Sequence, residues 1–418
     1  MTDSRRIIEA LRCGVPNGKA VAALGCHQPD LLRHFESKLS TPRQQPSGLI
    51  VKGGFGAGKS HTLEHLSWHA LQKNFICSKI TINKETALHD PSKLFRAAAE
   101  FAVVPGRFGS GIREAARRIN RTCQSYRELR TWMRDPAVDG RFGLSLQLYE
   151  AAQNDPEIQD RILQFWTGEP LGVAAIREFQ RRLHVIPSRD LSVVRQRDLG
   201  LQRFQFVARL IQSAGFAGWV LLIDEVELIG CYSLLQRAKS YGELARFSGA
   251  GHGFACPGLI TVFAVTDDFD AAILEGKGDL RVVPALLKDR DRPGEELLKH
   301  LAPAGMKEIR NNGVPIVPPQ APELRKTYQI VKRLYGDAYS CAPLEVAGPE
   351  RRGTTRIRHF VKRWITQWDM NRLYPEDVVE LQEIDVSTDY SEDTTTADLG
   401  ESVDDALMEE LLGRIIKE

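Results

Sequence analysis

The stretch that decides the fold is Leu49-Ile-Val-Lys-Gly-Gly-Phe-Gly-Ala-Gly-Lys-Ser-His-Thr-Leu-Glu-His-Leu66. Apolar strand-type residues run into four glycines within six positions, then into a lysine, a serine and a helix-type segment. Residues 53–60 fit G-x-x-x-x-G-K-[ST] in full. A polyphosphate packed against backbone N–H groups leaves no room for β-carbons, and the loop needs φ values above zero. Its N–H groups and the following helix N-terminus form an anion cradle. Gly53, Gly54, Phe55, Gly56, Ala57 and Gly58 are therefore the expected cradle for ATP. Lys59 is the point charge for the β- and γ-phosphates, Ser60 the hydroxyl for Mg2+, and His61 the nucleotide's edge.

A second signal lies downstream, in Trp219-Val-Leu-Leu-Ile-Asp-Glu-Val-Glu227. The apolar run predicts a buried strand whose C-terminal end presents carboxylates where open α/β sheets place ligands. Asp224 is expected to hold Mg2+ and Glu225 to polarise the attacking water. Glu227 reads as a solvated or capping carboxylate. A third apolar run, in Gly258–Phe269, predicts another buried strand. Strands of this type alternating with helices argue for a parallel sheet covered on both faces.

Around this core the chain divides by composition. Residues 1–103 hold N-terminal helices and the first part of the core. Residues 104–197 are Arg-rich and mostly helical, an insertion. Residues 198–319 carry the rest of the core, including a helix over Leu201–Gly215 and another near Ser233–Phe247. Residues 320–372 hold amphipathic helices without a strand, a helical lid. Residues 373–418 form an acidic tail with a helix-type segment at its end.

Net charge is +2 over 418 residues, unevenly placed. Residues 375–418 hold 15 acidic against 2 basic residues, net −13, which leaves +15 on the remainder. That balance fits a nucleic-acid partner, and equally a tail that screens the body. The seven cysteines form no C-x-x-C pair, which argues for reduced thiols in a cytoplasmic protein. No apolar run reaches the roughly 18 residues of a membrane span, and the N-terminus has no signal-peptide core.

The Gly53–Ser60 and Trp219–Glu227 motifs resemble those of P-loop ATPases of the AAA+ group and their initiator-like and STAND relatives. Lys59 and Asp224 stand 165 positions apart, wider than a compact core of that group, and the 104–197 segment accounts for the excess. A closer resemblance joins four stretches: Ile7–Gly25, Lys52–Leu66, Leu221–Ile229 and Thr354–Trp364. Together they look like the BREX-type ATP-binding proteins of bacterial phage-exclusion islands. The resemblance implies an α/β P-loop core with a helical lid and a Mg2+-dependent ATPase. It further implies a homo-oligomer acting with other phage-defence proteins and with DNA.

It also implies further site residues. Thr266 falls at the sensor-1 position, although a solvent-facing strand-end threonine is the competing reading. In Gly353-Thr-Thr-Arg356, Arg356 falls at the sensor-2 position, with Arg358 second. Thr355 stands where relatives often have proline. A guanidinium suits that role because it pairs bidentately with phosphate and stays charged. The Gly14–Ala20 segment is placed beside the adenine. Arg281, Arg290, Arg292 and Arg246 are all open as an arginine finger.

DNA contact has two competing readings. Six Lys/Arg over residues 351–364, with further arginines in 112–121 and 176–190, could neutralise phosphates. Phe360, Trp364 and Trp368, however, recur at core spacing, which would make the basic residues a solvated face. Two other functional classes stay open. One is a slow-hydrolysing, nucleotide-gated scaffold for partner proteins. The other is a DNA loader or initiator, on AAA+ analogy alone.

Overall fold

The computed structural model of the protein describes residues 3–14, 18–26, 28–40, 44–106, 111–186, 191, 199–251, 253–288, 296–346 and 357–374. The chain is a mixed α/β structure around a six-stranded sheet. Its strands are β1 (Ser47–Lys52), β2 (Phe75–Thr81), β3 (Ala102–Val103), β4 (Gly218–Asp224), β5 (Leu259–Val265) and β6 (Gly313–Pro315). The order across the sheet is β3-β2-β4-β5-β1-β6. Every pairing is parallel except that of β3, which runs antiparallel to β2.

The three apolar runs read from sequence are the central strands β1, β4 and β5. All seven residues of β4 and of β5 are buried, as expected for strands covered on both faces. The two-residue period sorts their side chains. Trp219, Leu221, Ile223, Phe263 and Val265 enter one apolar cluster, whereas Val220, Leu222, Ile260, Val262 and Ala264 enter another. The second cluster is closed by Leu31 and Phe35 of helix Pro29–Ser40 and by Leu63, Leu66 and Ala70 of helix Lys59–Gln72.

The first cluster is larger. Helices Pro91–Glu100, Gly200–Ser213 and Leu234–Ser248 cover the sheet. Five more helices between Gly111 and Arg182 add Leu129, Phe142, Phe165 and Trp166 to the same cluster. The 111–182 segment therefore shares the core of the sheet. Two of its neighbouring arginines are stacked rather than solvated. Arg203 stands 5.4 Å from the Phe165 ring and Arg209 5.0 Å from the Trp132 ring. Burial pushes the Arg203 guanidinium down to about 10.

A third cluster joins the two ends of the described chain. Ile7 and Ile8 of helix Asp3–Cys13 and Ala20 and Leu24 of helix Gly18–Leu24 pack on helices Ala321–Tyr339 and Ile357–Leu373. Phe360, Trp364 and Trp368 are in its centre, so their four-residue spacing is core spacing. Arg12 pairs with Asp369 at 2.8 Å, and Tyr335 donates to the same carboxylate.

Some elements escaped sequence reading. The short strands β3 and β6 carry no periodic signal. Helices Asp279–Lys288 and Glu296–Asn311 each contain a proline, Pro284 and Pro303, which breaks the usual pattern. The acidic tail and its terminal segment lie outside the described residues.

Candidate functional site

Register brings the two sequence motifs together. Lys52 at the end of β1 pairs with Val265 at the end of β5, and Gly53 N donates to Val265 O. β4 is the other neighbour of β5, in register through Ile223 and Phe263. The Gly53–Ser60 loop, Asp224–Glu225 and Thr266 thus emerge from the same edge of three adjacent parallel strands, separated by 165 residues of chain in the first two cases.

The loop has the backbone a phosphate cradle requires. Gly56 and Gly58 adopt φ of +76° and +104°, and Gly58 caps helix Lys59–Gln72 in the left-handed region. A β-carbon on Gly54 would lie 3.5 Å from the Asp267 carboxylate, and one on Gly53 would lie 3.2 Å from Ile316. Ala57 N donates to Gly54 O and closes the turn. Phe55, at the tip, is exposed. The loop's shape and the helix N-terminus behind it fit a polyphosphate.

Lys59 is only 7% exposed. Its Nζ donates to Gly53 O at 2.9 Å and stands 3.3 Å from Glu227 Oε1. Ser60 follows at the first turn of the helix, half-buried. Asp224 is 4% exposed and accepts from Glu225 N at 3.1 Å. Glu225 is half-buried and sits at φ +57°, a left-handed conformation that costs free energy in a residue with a β-carbon. Its pivot sends the chain into a tight 3-10 turn, Val226–Cys231. Thr266 is 2% exposed, which excludes the solvent-facing alternative.

Glu227 corrects the solvated reading. It is a carboxylate only 2% exposed, set against Lys59. The available signal was its setting, an acidic residue flanked by Val226, Leu228 and Ile229 directly after a buried strand. Burial pushes its carboxyl up to about 7, against the opposing pull of Lys59.

Beside the loop lies an apolar cleft between the sheet and the third cluster. Leu24, Gly25 and Cys26 line one wall, Ala57, Gly58 and His61 the floor, and Ile357, Arg358 and Val361 the other wall. Gly14 also lines it, and the rest of the segment placed beside the adenine includes residues 15–17, outside the described residues. His61 Nε2 lies 3.1 Å from Gly25 O, tying the loop helix to the N-terminal segment. Gln28 uses both ends of its amide on Val317, donating to its C=O at 2.7 Å and accepting from its N–H at 2.9 Å. The cleft is thereby bounded by chain from both ends of the sequence.

Residues 1–112 match the family model of the BREX system ATP-binding protein BrxC/D. The match takes in the N-terminal helices, the whole Gly53–Ser60 loop, β2 and helix Pro91–Glu100. It bears out the resemblance to BREX ATP-binding proteins on the N-terminal and phosphate-loop stretches that suggested it. The matched family is described as an ATP-binding protein of the BREX system, and the matched residues include the Gly53–Ser60 loop. No curated protein and no solved structure matches the chain.

The remaining expected residues divide by location. Arg356, Thr355, Arg290 and Arg292 lie outside the described residues. Arg358 is exposed and lines the cleft. Arg281 is exposed on helix Asp279–Lys288, whereas Arg246 is paired with Glu243 and largely buried. Among the described residues no group of three His, Cys, Asp or Glu side chains is placed to hold a metal. The expected Mg2+ set, Ser60 and Asp224, needs only one carboxylate with phosphate and water oxygens. Among the described residues no helix is long and apolar enough to cross a membrane.

Proposed function

We propose that this chain is a Mg2+-dependent ATPase of a phage-defence system that changes conformation or assembly with bound nucleotide. The observation that carries the reading is the convergence of the glycine loop, Asp224–Glu225 and Thr266 on one edge of three adjacent parallel strands. In an AAA+-like P-loop core the phosphate-loop strand stands beside the sensor-1 strand, and that in turn beside the strand bearing the acidic pair; the order β1-β5-β4 supports that assignment. The phosphates lie on the backbone of Gly53–Gly58, with Lys59 as their counter-charge and the base and sugar in the apolar cleft beside His61. Ser60 and Asp224 would hold Mg2+, which would neutralise phosphate charge. Glu225 orients or deprotonates the attacking water, and Thr266 and Arg356 address the terminal phosphate.

The protein works as an oligomer with partner defence proteins and on DNA, in this reading. An arginine finger from a neighbouring copy is Arg281, Arg290 or Arg292, since Arg246 is already committed to Glu243 within its own chain. Phosphate contacts fall to exposed arginines such as Arg117, Arg127, Arg130 and Arg177. Arg113, Arg118, Arg121 and Arg182 are instead paired with carboxylates.

One observation favours a second reading, a nucleotide-gated switch that binds ATP and hydrolyses it slowly. The phosphate-loop lysine is held by a buried carboxylate of its own chain. Multiple-turnover assays separate the two. Glu225→Gln keeps ATP binding and lowers hydrolysis at least about 10²-fold if Glu225 is the base. Turnover equal to wild type removes Glu225 from that role. Light scattering on the same variant, with and without Mg-ATP and duplex DNA, reads assembly directly. Unchanged mass in every condition favours the switch.

A further inference from the structure

Lys59 already has a partner within the chain. Glu227 Oε1 stands 3.3 Å from its Nζ, and Glu227 Oε2 is buried with no hydrogen-bond partner. The contact is built rather than incidental. The left-handed Glu225 starts the 3-10 turn, and buried Val226 and Ile229 on either side of Glu227 hold that turn against the core. Farther along, Lys277 Nζ donates to Gly230 O at 3.0 Å. Arg237 Nη1 donates to Tyr232 O at 2.7 Å while its other nitrogens pair with the fully buried Asp279. The turn that presents Glu227 is thus pinned at its far end by two cations.

We infer that Glu227 is a built-in competitor for the phosphate-loop lysine, setting how tightly the site holds the β- and γ-phosphates of a nucleotide. The inference rests on the ATP reading of this site. A buried carboxylate beside Lys59 offsets the positive charge the lysine brings to the loop. It also repels phosphate oxygens that approach the same ammonium, because charges in a poorly solvated interior are weakly screened. The upward pull of burial on its carboxyl marks the same cost: in its charged form Glu227 is stabilised chiefly by Lys59. A nucleotide that draws Lys59 away leaves that charge without its cation. Affinity is therefore the difference between two claims on one lysine.

A merely structural residue would weaken nucleotide binding when altered, and a competitor does the reverse. Glu227→Gln keeps the shape and an acceptor oxygen for Lys59 but removes the charge. Calorimetry should show Mg-ADP and Mg-ATP binding tightened by about ten- to a hundred-fold, the range for one charge-assisted contact. AMP, whose single phosphate stops short of Lys59, should change less than about two-fold, well under one such contact. Glu227→Asp retains the charge and should not gain the affinity that the Gln variant gains. Glu227→Met, similar in volume and neutral, gives the same test should the Gln variant not fold, and must also tighten ADP binding. Unchanged or weaker ADP binding in the neutral variants overturns the inference, as does an equal gain in the Asp variant. If wild type binds no ATP, the ATPase reading itself falls, which is a separate result.

Discussion

At the scale of single residues, the site pairs charges that sequence shows only as letters. Lys59 and Asp224 were legible because each sits inside a motif whose flanks are a strand and a helix. Glu227 was not, because its role depends on a left-handed φ at Glu225 that turns the chain back on the loop. Lys59→Ala is expected to abolish measurable nucleotide binding by calorimetry; wild-type affinity would refute the phosphate-loop assignment. His65 gives a prediction of a different kind. Burial, reinforced by His61 and His69, lowers its pKa to about 4 from 6.5. The folded state holds this imidazole neutral while the unfolded chain protonates it. Its contribution to stability is therefore full above pH 6.5 and is lost as pH falls toward 4. Denaturant midpoints of wild type and His65→Leu should diverge in their pH dependence only across that window, the variant falling less. Parallel curves would show that His65 does not titrate as its setting demands.

At the scale of elements, close packing decides what can be changed. Helix Glu296–Asn311 lies so near helix Leu234–Ser248 that a β-carbon on Gly305 would fall 1.9 Å from Tyr241 O. That contact is with backbone, so no rotamer can relieve it. Gly305→Val is expected to destabilise the fold by ~3 kcal/mol or more, at the upper end for overpacking, read as a lower denaturation midpoint. A midpoint within experimental error of wild type would mean that the two helices separate freely. The fold's central strands were readable because short apolar runs such as Trp219–Ile223 and Leu259–Val265, bounded by turn-type or acidic residues, have few other homes. The two helices containing Pro284 and Pro303 were not, since proline normally marks a helix boundary and here the surrounding packing overrides it. β3 and β6, at two and three residues, are defined by pairing partners and not by their own side chains.

At the scale of the whole molecule, three apolar clusters divide the work. Two clothe the faces of the sheet and one binds the first helices to the last. The wall of the cleft that includes Ile357 and Val361 belongs to that last cluster, so disturbing the cluster should reach the nucleotide without touching it. Trp364→Ala is expected to cost about 3–5 kcal/mol in that cluster. Mg-ATP affinity should fall while the sheet stays folded by circular dichroism. Unaltered affinity would detach the cleft from the nucleotide. Sequence composition announced helices at both ends of the chain, but nothing in their periodicity said that they would meet. That meeting is a matter of which apolar faces are left over once the sheet is covered. It also has a consequence in time. A ribosome delivers Ile7 and Ile8 some 350 residues before Phe360, Val361 and Trp364, the side chains that enclose them. During synthesis the first helices wait for their partners, and the cleft can close only once residues 357–373 have emerged. A half-made copy would carry the motif but not the grip.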